Sequence, residues 1–220
     1  MSDKPEYTLV SDITSFIYPA HMKRPEGFFG SNFFEKWIPN WKRHLGHFTD
    51  KPNVLGIEVG TLHGDCAVFC AEKIVNGENS LHCAVDINES EFLKNNIAPY
   101  KNIQFMQGKS SDILCAPNAF IPDTADYVFI DGSHIAIDVM TDAVLAWRLL
   151  KDGGILIFDD YGWGAHTNDE KLKPKLAIDA FLQTYMGNYE VLETGWQVFL
   201  KKKSIKYVYD SATEQMKECV

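Results

Sequence analysis

No run in the 220-residue sequence approaches the roughly 18 uninterrupted apolar residues of a membrane span, so no transmembrane helix is expected. Basic residues are in deficit, 21 Lys and Arg against 30 Asp and Glu, for a formal net charge of -9. That balance argues against a nucleic-acid backbone as the main partner, because such binding rests on basic patches that release counterions. The one basic cluster, Lys201 to Lys203, reads as the solvated end of a strand. Cysteine is scarce: five residues, at 66, 70, 83, 115 and 219, with no C-x-x-C pair. An odd, scattered set speaks against a disulfide framework and for reduced thiols. Cys66 and Cys70 stand one helical turn apart, but a shared metal would find no other ligand at matching spacing, and buried small hydrophobes are the simpler account. The opening "MSDKPEYTLVSD" lacks the apolar stretch of a secretory signal. The expectation is a cytoplasmic protein that binds neither nucleic acid nor membrane.

What is present is the composition of a globular chain, 45% hydrophobic and 23% charged, without internal repeats or a low-complexity linker. Short apolar runs bounded by turn residues predict strands at Val54 to Val59, Leu81 to Asp86, Ile103 to Gln107, Tyr127 to Asp131 and Ile155 to Asp159. Helix-like stretches separate them, clearest at Ile135 to Leu150, where "KDGG" supplies a stop signal. Strands alternating with helices imply right-handed crossovers and an α/β, doubly wound, mostly parallel sheet. Two further candidates, "YEVLE" and "WQVFLKK", are separated only by Thr194 and Gly195 and predict a C-terminal antiparallel hairpin, giving seven strands.

Residues 1–50 differ, being rich in aromatics and proline. "SNFFEKWIPNWKRHL" puts Phe33, Phe34, Trp37, Ile38, Trp41 and Leu45 near one helical face, with Asn32 and Glu35 placed like a capping pair and Pro39 kinking the helix or starting a second one. Two readings stay open: a helix packed on the sheet, or a lid over a substrate pocket beneath Trp37, Trp41 and Trp163.

In an open parallel sheet, ligands bind beyond the carboxyl ends of the strands. After the first strand, Glu58, Gly60 and Gly64 form E-x-G-x-x-x-G, a tight turn that lets the next helix start against a ligand, or a purely structural turn. The dinucleotide fingerprint G-x-G-x-x-G is absent there, which counts against an NAD-dependent oxidoreductase. The second strand ends in Asp86, a carboxylate able to accept both hydroxyls of a ribose. Ser110 and Ser111 follow the third strand and suit either an adenine edge or a helix cap. The fourth and fifth strands end "FIDGSH" and "IFDDY". If they are neighbours, Asp131, Asp159 and Asp160 crowd one point, an arrangement that suits Mg²⁺, with Mn²⁺ or Ca²⁺ as alternatives. The competing account is that Asp160 only caps a loop.

These stretches together, over residues 52–202, resemble the class I methyltransferases that use S-adenosylmethionine. "DYVFIDGSH", "LLKDGGILIFDDYGW" and "GWQVFLKK" are most similar to the small-molecule O-methyltransferases that include the macrocin and catechol enzymes, in the bacterial family 24 branch. The resemblance implies a Rossmann-like methyltransferase domain over residues 51–220 and transfer of a methyl group to an oxygen of a small hydroxylated molecule. It also implies that Glu58 and Gly60 hold the methionine and sulfonium end, Asp86 the ribose, Ser110 and Ser111 the adenine, with Gly64 and Asp131 also at the cofactor and Asp131 ligating Mg²⁺ together with Asp159 and Asp160. The chain departs from the pattern where macrocin-like enzymes have an acid, here Ser133, and catechol enzymes a lysine, here His134. His134 is the candidate base, with Asp131 beside it; the plainer reading of His134 is a turn-holding hydrogen bond. A non-catalytic cofactor-binding module is the remaining rival, and self-association is left open.

Overall fold

The computed structural model describes residues 16–25, 34–203, 206–210, 213 and 215–219. Its centre is a seven-stranded sheet built from β1 (Leu55–Val59), β2 (Leu81–Asp86), β3 (Ile103–Gln107), β4 (Ala125–Ile130), β5 (Leu150–Phe158), β6 (Tyr189–Glu193) and β7 (Val198–Lys202). The order is β3-β2-β1-β4-β5-β7-β6. The first five strands pair in parallel, and β7 runs antiparallel to both β5 and β6. The hairpin expected at Thr194 and Gly195 is present. "KDGG" does end the preceding helix, but the chain runs straight into β5 from Leu150, with a register shift opposite Ala125 and Tyr127. One pair was not anticipated: β8 (Lys206–Asp210) and β9 (Gln215–Cys219) form a separate antiparallel ribbon.

The helices are α1 (Ile38–Leu45), α2 (Asp65–Lys73), α3 (Glu91–Ile97), α4 (Ser110–Leu114), α5 (Ala136–Leu149) and α6 (Pro174–Thr184). Period-2 alternation along each strand feeds two separate cores. Val128, Ile130, Leu156, Phe158, Val198 and Leu200 meet α5 and α6 on one face. Tyr127, Phe129, Ile155, Ile157 and Phe199 meet α1 and α2 on the other. Trp41 of α1 is fully buried there, edge-on to Phe129 at 4.9 Å. Pro39 lies in the first turn of α1, where a missing N–H costs nothing, so it starts that helix after a 3-10 turn at Glu35–Trp37. Asn32 and Phe33, and with them the expected capping pair, lie outside the described residues. No helix among the described residues is long and apolar enough to cross a membrane.

Candidate active site

Consecutive strands leave β1 toward β2 on one side and lead to β4 on the other, so the topological switch point lies between β1 and β4. Gly60 and Asp131 meet there. Gly60 has φ +87°, and a Cβ on it would fall 2.1 Å from the Asp131 carbonyl oxygen, so no other residue fits. Gly64, at φ +88°, forms the left-handed N-cap of α2 and carries no side chain to cap it.

Asp86 shapes this turn from β2. Its Oδ2 accepts the N–H groups of Thr61 and Leu62 at 2.9 and 3.0 Å, and its Oδ1 accepts that of Asn88 at 2.9 Å. Of a carboxylate's roughly four lone-pair positions, about one then remains, so a ribose would share Asp86 with the loop. Ser110 and Ser111 are the first residues of α4, but the N-cap is Lys109, so neither serine is the cap that its type suggests. The Ser110 hydroxyl bonds the buried carboxyl of Asp142 on α5.

Glu58 is 1% exposed, and its carboxylate is engaged within the sheet. His82 Nε2 donates to its Oε2 at 2.8 Å, and His82 Nδ1 meets the Tyr127 hydroxyl at 2.9 Å. Burial alone would push this imidazole down; the adjacent Cys70 sulfur and the Glu58 carboxylate outweigh it and hold His82 up at about 10. Cys66 and Cys70, 3.9 Å apart, are buried beside the same network. Neither His82 nor Tyr127 stands out in the sequence, where each looks like one residue of an apolar strand.

The carboxylates converge at the ends of β4 and β5. Asp131, Asp159, Asp160, Ser133 and His134 line one hollow, closed by Val139 and Pro174. Asp159 Oδ2 accepts from Gln197 Nε2 at 3.0 Å, and Gln197 Oε1 in turn accepts from Trp41 Nε1 at 3.1 Å. Trp41, for which the sequence left a packed helix and a lid both open, therefore sits inside the core. Asp160, at φ +57°, accepts Trp196 Nε1 at 3.0 Å on Oδ1 and His134 Nε2 at 2.6 Å on Oδ2. The His134 ring stacks on Trp163 at 4.5 Å and 18°. Ser133 bonds Asp138 and the Ile135 N–H, fastening the start of α5. Burial, and then Asp159, Asp160 and Glu58, push Asp131 well above the usual carboxylate range. Burial and Asp160 raise Asp159 to about 6.

Residues 57–161, which contain all of the acids, glycines and serines just described together with His134, match the methyltransferase family 24 model, described as "Methyltransferase domain". That match covers just under half of the chain. A curated relative, the uncharacterized protein R132 of Acanthamoeba polyphaga mimivirus, is 26% identical over 124 residues, 54% of this chain and 56% of that protein. The methyltransferase MycE of mycinamycin biosynthesis, solved with Mg, SAH and mycinamycin VI, aligns with a TM-score of 0.61 at 18% identity, over 79% of this chain and 51% of MycE. The O-methyltransferase TomG of Streptomyces achromogenes, solved with SAM, gives 0.55 at 16% identity, over 68% of this chain and 73% of TomG. A candidate rRNA methylase of Clostridium thermocellum gives 0.60 at 16% identity, over 75% and 96%. At these identities the likeness to solved structures is one of fold. The chain spans about half the length of MycE and of the viral relative.

In charge and donor type, the carboxylates of Asp131, Asp159 and Asp160 fit a hard divalent cation, whose presence would offset the burial and the mutual repulsion that raise Asp131 and Asp159. Their oxygens are also engaged by Gln197, Trp196 and His134, and among the described residues no three His, Cys, Asp or Glu side chains meet at coordinating distances. Coordination would therefore draw on the lone-pair positions these donors leave free, or displace one of the donors.

Proposed function

We propose that the chain transfers a methyl group from S-adenosylmethionine to an oxygen of a small hydroxylated molecule. The observation that carries this reading is the His134–Asp160 pair at the mouth of a carboxylate-lined hollow, reached from the same switch point as the Gly60 turn. The family match and the fold support the methyl donor; the names of MycE and TomG support a small-molecule acceptor. Bound S-adenosylmethionine would supply an electrophilic methyl group on its sulfonium sulfur.

The protein's task is alignment and proton removal. With Nε2 donating to Asp160, the nitrogen of His134 left to accept a proton from a substrate hydroxyl is Nδ1. Asp160 fixes that tautomer and stabilises the imidazolium that forms, as a carboxylate does in other His–Asp pairs. Trp163, 38% exposed, covers one ring face and keeps water from it. Asp131, Asp159 and Asp160 would hold a divalent cation, which would lower the pKa of a hydroxyl bound beside His134. Gly60 and Gly64 shape the turn for the donor's amino-acid end, and Asp86 serves the ribose; Glu58 works from beneath, through His82.

The direct test is calorimetry with S-adenosylhomocysteine followed by turnover on a library of hydroxylated compounds. Absence of binding at millimolar ligand would remove the cofactor assignment. Binding without turnover on any hydroxylated compound would leave a cofactor-binding module.

A further inference from the structure

We infer that Arg24 is a cofactor-recognition residue, receiving the α-carboxylate of the methyl donor's amino-acid end, and that residues 21–24 are fastened over the Gly60–Gly64 turn for that purpose. The inference rests on the cofactor reading above and adds a segment outside the matched family region.

The fastening is Asn96 of α3, whose side chain is fully buried. Its Oδ1 accepts the Lys23 N–H at 2.9 Å, and its Nδ2 donates both to the Lys23 carbonyl and to the His63 carbonyl, each at 2.9 Å. The Asn96 carbonyl also bonds His21 Nε2 at 3.1 Å. One amide therefore locks both polar groups of Lys23 to the turn that opens α2. A buried amide satisfied on both sides is costly to disrupt, so the strap and the turn move as one unit.

The next residue, Arg24, is brought to the first residue of α2, where its guanidinium bonds Asp65 and lies 4.9 Å over the Tyr18 ring. After burial, Arg24 is the next cause that lowers the pKa of His63, which places its charge over the same turn. A guanidinium has five donors in a planar fork, so it can hold Asp65 and still receive a second carboxylate. The start of α2 adds its own positive end, uncapped by any side chain.

An independent observation at this turn points to a ligand. Thr61 is 4% exposed, yet its hydroxyl has no hydrogen-bond partner. A buried hydroxyl left unpaired is costly, and a ligand bound in the turn would recover that cost.

The local charges indicate which ligand end fits. Arg24 holds the carboxylate of Asp65, and Asp86 acts on His63 of the same turn; these acids would repel a pyrophosphate. A zwitterion suits the place, with its carboxylate on Arg24 and its ammonium beside the acids.

The experiment compares S-adenosylhomocysteine with 5′-methylthioadenosine, which lacks the amino-acid end, by calorimetry on the full chain. Arg24→Met should weaken S-adenosylhomocysteine by roughly 10- to 100-fold, the size of a lost charged hydrogen bond, while leaving 5′-methylthioadenosine within about 3-fold. Arg24→Lys, which keeps the charge and loses the fork, should fall between. Thr61→Val should also weaken S-adenosylhomocysteine while raising the melting temperature of the free protein. Equal losses for both ligands, or unchanged S-adenosylhomocysteine affinity in Arg24→Met, would overturn the inference with the cofactor reading intact. A wild-type chain that binds neither ligand would overturn both.

Discussion

Tyr127 lies across β1 directly over Gly56: a Cβ at Gly56 would stand 2.1 Å from Tyr127 Cζ and 2.3 Å from its hydroxyl oxygen. Gly56 pairs with Tyr127 on one side and with His82 on the other, so the bare backbone is the corridor through which the tyrosine reaches the imidazole. Gly56→Ala should therefore destabilise the fold by overpacking, by about 1–3 kcal/mol or more. Urea denaturation checks this, and a variant as stable as wild type would mean that the ring has room to turn away.

Gln197 joins two otherwise separate parts of the molecule, the core tryptophan of α1 and the carboxylate of Asp159. Gln197→Leu keeps much of the volume but leaves a buried N–H and a carboxylate oxygen without their partner, at a cost of about 1–3 kcal/mol. Turnover should drop further than stability accounts for, because Asp159 loses the donor that aims it. Equal turnover per folded molecule would leave Gln197 a packing residue.

Asp142 is buried on α5, and burial, with Asp138 adding to it, raises its carboxyl to about 6 despite the Ser110 bond. A carboxyl whose pKa is raised on folding takes up protons in the native state, so its burden on stability is absent below the unfolded value near 4 and grows as pH rises toward 6. Asp142→Asn should raise stability at neutral pH by on the order of 1–3 kcal/mol, and the gain should vanish near pH 4. Melting temperatures across that range decide it; a gain that persists in acid would assign the effect to packing.

The proposed chemistry separates by variant. His134→Ala should lower turnover by roughly 10²- to 10⁴-fold, the usual size of a lost general base, and leave S-adenosylhomocysteine affinity within a few-fold. Asp160→Asn should follow it, since the tautomer of His134 is held by that carboxylate.

Metal involvement has its own check. Excess EDTA should abolish turnover, added Mg²⁺ should restore it, and Asp159→Ala should be insensitive to both. Full activity in EDTA would leave Asp131, Asp159 and Asp160 as hydrogen-bond acceptors for the substrate.

Strand positions, the mostly parallel character of the sheet and the C-terminal hairpin were legible in the sequence because each depends on local pattern: short apolar runs, a helical repeat in α5, and two turn residues between β6 and β7. The meeting of Asp131, Asp159 and Asp160 was legible for a related reason, since carboxyl ends of adjacent parallel strands must lie side by side. Tertiary structure alone decided that Glu58 pairs with His82, that Ser110 turns to Asp142, that Trp41 reaches Asp159 through Gln197, and that Asn96 fastens Lys23 over the Gly60 turn. Each of these relations joins residues 24 or more positions apart. A polar side chain buried in an apolar strand must find a partner, and periodicity can show that it is buried but not which distant chain segment folds back to supply that partner.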